Sequence, residues 1–202
     1  MKVTIRAHMP DSSIAEISHE EMLRIADALG LVAAVSDRFS SVLVMDLLNL
    51  ERQGVSSRHV LDEIRALELQ KATTTKPPSD FKNPRLSSLR HKHFFAPTFN
   101  IIATNMQVEL GKKGLDRTIR EICDPKKSEI LTDEMISKLS HAITTAPFER
   151  RLERKHLTGE WLVYSPQPTG NVYLGACTHS IGDEKLIARL KIWELEFPCL
   201  AA

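Results

Sequence analysis

Two runs in the last quarter of the chain constrain the fold most. Glu160-Trp161-Leu162-Val163-Tyr164 and Asn171-Val172-Tyr173-Leu174-Gly175-Ala176-Cys177-Thr178 are rich in aromatic and β-branched residues. Between them, Ser165-Pro166-Gln167-Pro168-Thr169-Gly170 is turn chemistry. Such a pair reads as a β-hairpin. Most of what precedes it carries helical spacing, so the expected class is α+β and mostly helical. The reading is an N-terminal three-helix unit, then helices packed on a small antiparallel β-sheet near the C-terminus.

Before the hairpin the pattern is locally clear. Met1–Arg6 alternates like a short strand. Ser18 stands three residues before Glu21, a capping box, and Met22, Leu23, Ile25, Ala26 and Leu29 follow at helical spacing. Further helices are expected over 36–53 and 56–71, closing a helical unit at 1–71. Residues 72–88 hold Thr73-Thr74-Thr75-Lys76-Pro77-Pro78 and Asn83-Pro84, which break helices and lack core-forming side chains. They read as a linker or extended arm before an α+β domain over 89–202. In that domain Phe94, Phe95, Phe99, Ile102, Met106 and Leu110 suggest one apolar helical stripe ending at Gly111. Shorter helices are expected over 115–123 and from Thr132, with a last one from about Asp183.

Composition narrows the class further. With 42% hydrophobic and 26% charged residues, the chain is an ordinary globular one rather than a disordered one. The longest apolar stretch, Leu29–Leu50, is interrupted by Asp37, Arg38 and Asp46, so no membrane span is expected. The N-terminal residues lack a signal-peptide pattern, and Cys123, Cys177 and Cys199 form no C-x-x-C pair. Together these suggest a cytoplasmic protein with packed, unpaired cysteines and no implied cofactor. Residues 1–81 carry 9 Lys/Arg against 12 Asp/Glu, residues 82–157 carry 15 against 9, and residues 158–202 carry 3 against 5. A basic middle between acidic flanks points to a polyanion such as RNA, and the acidic helical unit to a protein partner. Signatures of P-loop ATPases, zincins, α/β-hydrolases and dinucleotide-binding folds are absent from the sequence.

Three polar clusters could carry chemistry. Arg90-His91-Lys92-His93 places two imidazoles on one face of an extended segment, which suits acid–base work, phosphate contact or metal ligation. A solvated basic loop ahead of a helix explains it equally. Cys177-Thr178-His179-Ser180 leaves the second strand of the hairpin, where rigid strands position loop side chains. The plain alternative is the N-terminal cap of the last helix. Arg150, Arg151, Arg154 and Lys155 make a cationic helix face able to hold phosphate, although Glu149 and Glu153 partly neutralise it.

The run Leu157-Thr158-Gly159-Glu160-Trp161-Leu162-Val163-Tyr164, followed by Asn171-Val172-Tyr173-Leu174, His179 and Asp183, and preceded by His91-Lys92-His93, resembles a pattern in uncharacterised bacterial proteins. More loosely, helices feeding a small antiparallel sheet over residues 90–197 look like the ribonuclease group of barnase, RelE-like toxins, colicin nucleases and EndoU. That resemblance implies metal-independent RNA cleavage by a toxin or defence effector. In it, His91, His93 or His179 would serve as acid and base. Arg150, Arg154 or Lys155 would steady the phosphorane, and Tyr173 or Ser180 would orient the phosphate. Two other functions fit the same residues: a non-catalytic interaction or regulatory protein, and a metal-dependent hydrolase built on His91 and His93, with His179 or Asp183 as a further ligand.

Overall fold

Strand Arg90–Phe94 organises the molecule, because its neighbours and both of its faces are used. The computed structural model of the chain describes residues 5–8, 14–126 and 128–200. A hairpin pairs β1 (Ile5–His8) with β2 (Ile14–Ile17); of the strand-like stretch at the N-terminus, residues 1–4 lie outside the described residues. Helices α1 (His19–Ala28), α2 (Leu31–Val35), α3 (Ser41–Arg52) and α4 (Arg58–Glu68) follow. The expected capping box is present, with the Glu21 amide donating to Ser18 Oγ and the Ser18 amide to Glu21 Oε2.

The main sheet has four antiparallel strands in the order β3 (Ser79–Asp80), β4 (Arg90–Phe94), β5 (Glu160–Ser165), β6 (Val172–Cys177). The last two are the expected hairpin, and the first two come from the arm and from the Arg-His-Lys-His run. The fold is therefore α+β and mostly helical, with a sheet larger than the hairpin alone. The apolar stripe expected from Phe94 onward divides: Phe94 ends β4, and the helix α5 starts only at Phe99. Pro97 has no amide to donate and disfavours helix in the residue before it. Thr98 then caps α5, its Oγ1 accepting from the Ile101 amide at 3.4 Å.

Side-chain alternation gives the sheet two faces with separate cores. Phe94, Leu162, Tyr164, Tyr173 and Ala176 pack with Met22, Leu43, Leu47, Val60 and Ile64 of the N-terminal helices. Val163, Leu174 and Cys177 pack with Leu186, Ile187 and Trp193 of α9 (Asp183–Glu196) on the other side. Between β4 and β5 the chain builds α6 (Gly114–Ile122), α7 (Asp133–Ile143) and α8 (Thr145–Glu153) at one end of the sheet. Pro147 falls in the first turn of α8, where its missing amide costs nothing. Cys177 is buried and Cys123 half-buried; the side chain of Cys199 lies outside the described residues. Among the described residues no helix is long and apolar enough to cross a membrane.

The arm at 72–88 is pinned at the edge of β4. Thr75 is buried; its Oγ1 donates to Glu63 Oε1 at 2.9 Å or the His93 carbonyl at 2.8 Å, and accepts from the Lys92 ammonium. A backbone bridge joins Thr75 to Leu157. Segments 72–78 and 157–159 therefore lie side by side, and the residues between and beyond them form the site.

Candidate functional site

On strand β4, residues two apart share a face, so His91 and His93 project together. The register sets His91 opposite Val163 and His93 opposite Trp161, and Trp161 opposite Cys177 at the end of β6. Two residues after Cys177 the chain supplies His179. The three imidazoles, separated by up to 88 positions in sequence, therefore meet. The rings of His93 and His179 stack with centroids 5.6 Å apart, and His91 lies 5.8 Å from His93. Trp161 packs against both outer histidines, at 4.7 Å from His91 and 4.6 Å from His179. Phe81 closes the far end, 4.8 Å from His91.

The three rings are not equivalent. His93 is 5% exposed, and its Nδ1 lies 3.0 Å from the carbonyl and 3.2 Å from the amide of Gly159. Either tautomer is thus held by the same residue, and Nε2 is left for other work. Burial pulls its pKa down to about 4; the Gly159 bond opposes the shift, and the charge of Lys76 adds to it. His91 is pulled down to about 4 as well, by burial first and then by His179. Its Nε2 contacts Ser79 Oγ at 3.0 Å, while its Nδ1 is buried with no hydrogen-bond partner. His179 alone is exposed, and its backbone amide donates to Glu160 Oε2.

His179 opens onto a cleft of about 490 Å³ between the sheet end and α5. Lys76, Arg151, Glu160 and Ser180 line it, with Asn100 and Thr104 from α5 opposite. Arg151 is 6% exposed and fixed by two acceptors, its Nε donating to Asn105 Oδ1 at 2.9 Å and a terminal nitrogen to the His156 carbonyl. Asn105, fully buried, also accepts from the Thr158 amide at 2.8 Å and donates to the Thr158 carbonyl at 2.8 Å. One amide side chain thus fixes both the cation and the Thr158-Gly159 corner beside His93. At that corner a Cβ on Gly159 would sit 2.0 Å from the Phe94 carbonyl oxygen, so only glycine allows β5 to start this close to β4. Lys76 has its pKa lowered by burial first and by Arg151 second, which places two cations at one cleft. Neither a protein-family model, nor a curated protein, nor a solved structure matches the chain.

Of the residues singled out from sequence, His91, His93, His179 and Ser180 come together at this end of the sheet. Arg151 of the cationic helix face lines the cleft as well, whereas Tyr173, Arg150, Arg154 and Lys155 lie elsewhere. Tyr173 is fully buried on the opposite face, its hydroxyl donating to Glu68 Oε1 at 2.7 Å, and burial pushes its pKa up. Arg150 and Arg154 both donate to Glu109 Oε1, each at 3.1 Å, so one carboxylate occupies them. Arg154 and Lys155 line a different cleft. Among the described residues no group of three His, Cys, Asp or Glu is arranged to hold a metal ion. Reading the sequence missed Lys76, Asn105, Arg151 as the inward member of its cluster, and Glu160. Only Arg151 left a signal, since it follows Pro147 by one helical turn and those two are the buried residues of α8.

Proposed function

We propose that the chain is a metal-independent endoribonuclease acting at the cleft beneath His179. One observation carries the reading: the stack of His93 and His179 at 5.6 Å opens onto the same cleft as Lys76, Arg151 and Glu160. Cleaving RNA through its own 2′-hydroxyl needs a base, an acid and positive charge on the phosphate. Glu160 is the carboxylate lining the cleft and serves as the base that takes the 2′-hydroxyl proton. The 2′-oxygen then attacks phosphorus, the bond to the 5′-oxygen breaks, and protonated His179 gives that oxygen its proton. The products are a 2′,3′-cyclic phosphate and a 5′-hydroxyl end, with no water consumed. Lys76 and Arg151 stabilise the charge that builds on the phosphorane. His93 and His91, neutral at pH 7 because of burial, act as positioning residues behind His179. The four-stranded antiparallel sheet fed by helices also supports the looser fold-level analogy to the barnase, RelE, colicin and EndoU group.

The test is cleavage of a panel of single-stranded and structured RNAs by pure protein in excess chelator, with the new ends analysed chemically. The expected outcome is cyclic-phosphate ends, with His179→Gln and Glu160→Gln each losing about 10²–10⁴-fold in rate. Intact RNA at micromolar protein, or equal cleavage by His179→Gln prepared in parallel, would sink the reading.

A second reading, an interaction protein, is favoured by a separate observation. Leu115, Ile119, Ile130, Leu131 and Ile136, on and between α6 and α7, are exposed large apolar residues. The N-terminal helices, by contrast, turn most of theirs inward. A protein partner would thus dock at α6 and α7. That reading takes over if pure protein cleaves no RNA and an Ile119→Lys, Ile136→Lys variant loses a stoichiometric complex that the native chain forms.

A further inference from the structure

A second cleft, of about 480 Å³, lies on the other face of the sheet. Its floor is Leu67, Pro77 and Pro78 above the buried Tyr164, and no carboxylate lines it. Its cations divide into two groups. Arg90, Lys92 and Arg154 are already matched, by Asp80 at 2.8 Å, Glu63 at 3.2 Å and Glu109 at 3.1 Å. Lys71 and Lys155 have no such ion pair among the described residues. Free positive charge therefore stands beside apolar surface in one cleft.

The two clefts share their dividing wall. Lys76 lines the histidine cleft, while its chain neighbours Thr75, Pro77 and Pro78 line the second. The end of α8 divides the same way, with Arg151 on one side and Arg154, Lys155 and His156 on the other. Lys155 produces that division. It adopts φ +55°, a left-handed conformation that glycine takes without steric cost and that commonly ends helices. There it reverses the chain so that the His156 carbonyl meets Arg151 while the lysine side chain joins the second cleft. A lysine held in a glycine conformation at a charged cleft is strain located where a ligand would use it.

We infer that the second cleft is a subsite for a flanking nucleotide of single-stranded RNA. One base rests on the Leu67–Pro77–Pro78 floor, Lys71 and Lys155 take its phosphates, and the strand crosses the arm at Thr75–Pro78 to reach His179. The ligand class rests on the ribonuclease reading, and the free lysines supply the positive groove that tracks a single-stranded backbone, with leucine and proline surface beside it for a base. A duplex is too wide and too stiff to follow both faces of one sheet.

The experiment measures binding without cleavage. A fluorescent single-stranded RNA of roughly ten nucleotides, within the usual site size for such proteins, is blocked at every 2′-oxygen by methylation and followed by anisotropy. Native protein is expected to bind it, with Lys71→Glu, Lys155→Glu weakening binding at least tenfold and flattening its dependence on salt. Lys155→Gly guards against misfolding: it relaxes the backbone, so it should keep or raise the melting temperature while weakening binding several-fold. Three results overturn the assignment: no binding by native protein, unchanged binding by the double variant, or an acidic peptide bound with the same lysine dependence while RNA is not. Lysine-dependent binding of RNA by a protein that cleaves none leaves the subsite standing and removes the ribonuclease reading. Cleavage by a protein whose binding ignores both lysines does the reverse.

Discussion

Burial acts on His91 and His93 in the same direction. Each imidazole would gain a proton near pH 6.5 if free, yet burial lowers both to about 4. Between those two values the unfolded chain binds more protons than the folded one, so stability rises with pH through that window. Acidification from about 6.5 to 4 therefore weakens the fold, and the loss is complete only below the folded values. His91 supplies the cleaner test, because its Nδ1 is buried without a partner and its ring already packs against Phe81 and Trp161. His91→Phe should cost no more than about 1 kcal/mol at pH 7, the net worth of the Ser79 hydrogen bond. It should also flatten the fall in melting temperature between pH 6.5 and 4. Thermal melts of both proteins across that range decide it; an unchanged pH slope would mean His91 is not the buried base described. At this scale the sequence was partly legible. Histidines and hydroxyls announce themselves by type, whereas Lys76 and Glu160 are common surface residues that only position makes interesting.

At the scale of elements, β4 shows why a local pattern can mislead. Arg-His-Lys-His offers no apolar–polar alternation, so nothing in it distinguishes a strand from a loop. The alternation is real but chemical, with histidines to one face and Lys92 to the other. Lys92 is 3% exposed and meets Glu63, 6% exposed, at 3.2 Å, with Thr73 Oγ1 and the Lys76 carbonyl accepting from the same ammonium. This ties a strand, a helix and the arm together at one charge. Burial lowers the Lys92 pKa while Glu63 opposes the shift. Removing one partner leaves the other charge buried and alone, so Lys92→Met should cost about 3–5 kcal/mol. Lys92→Met with Glu63→Leu should recover most of that loss. Urea denaturation of the native, single and double variants gives the cycle, and additive losses would contradict the coupling. The hairpin and α9 were legible because strand composition and helical spacing act over neighbouring residues. β3 was not, since two exposed residues become a strand only by pairing with β4.

For the whole molecule, the question is what the helix-breaking stretch at 72–88 does to folding. Locally it is plain in the sequence, but its thermodynamic meaning depends on contacts a hundred residues apart. Leu43 and Leu47 of α3 share one buried cluster with Leu162, Tyr173 and Ala176 of the hairpin. The backbone at Arg38–Ser40 runs beside β6, with the Ser40 amide donating to the Tyr173 carbonyl at 2.8 Å and the Tyr173 amide to the Arg38 carbonyl at 2.9 Å. Each set of residues helps to cover the other from water, so burial should couple them into one transition. The chain carries its own reporters, because both tryptophans, Trp161 and Trp193, lie after the stretch. Fluorescence then follows the sheet side alone while far-UV circular dichroism follows all the helices. Leu47→Ala, a substitution on α3, should destabilise by about 2–5 kcal/mol. If the two sides are one cooperative unit, it lowers the tryptophan and dichroism midpoints together. A tryptophan midpoint that stays in place while the dichroism midpoint falls would show that the histidine cleft is carried by a unit able to fold without the N-terminal helices.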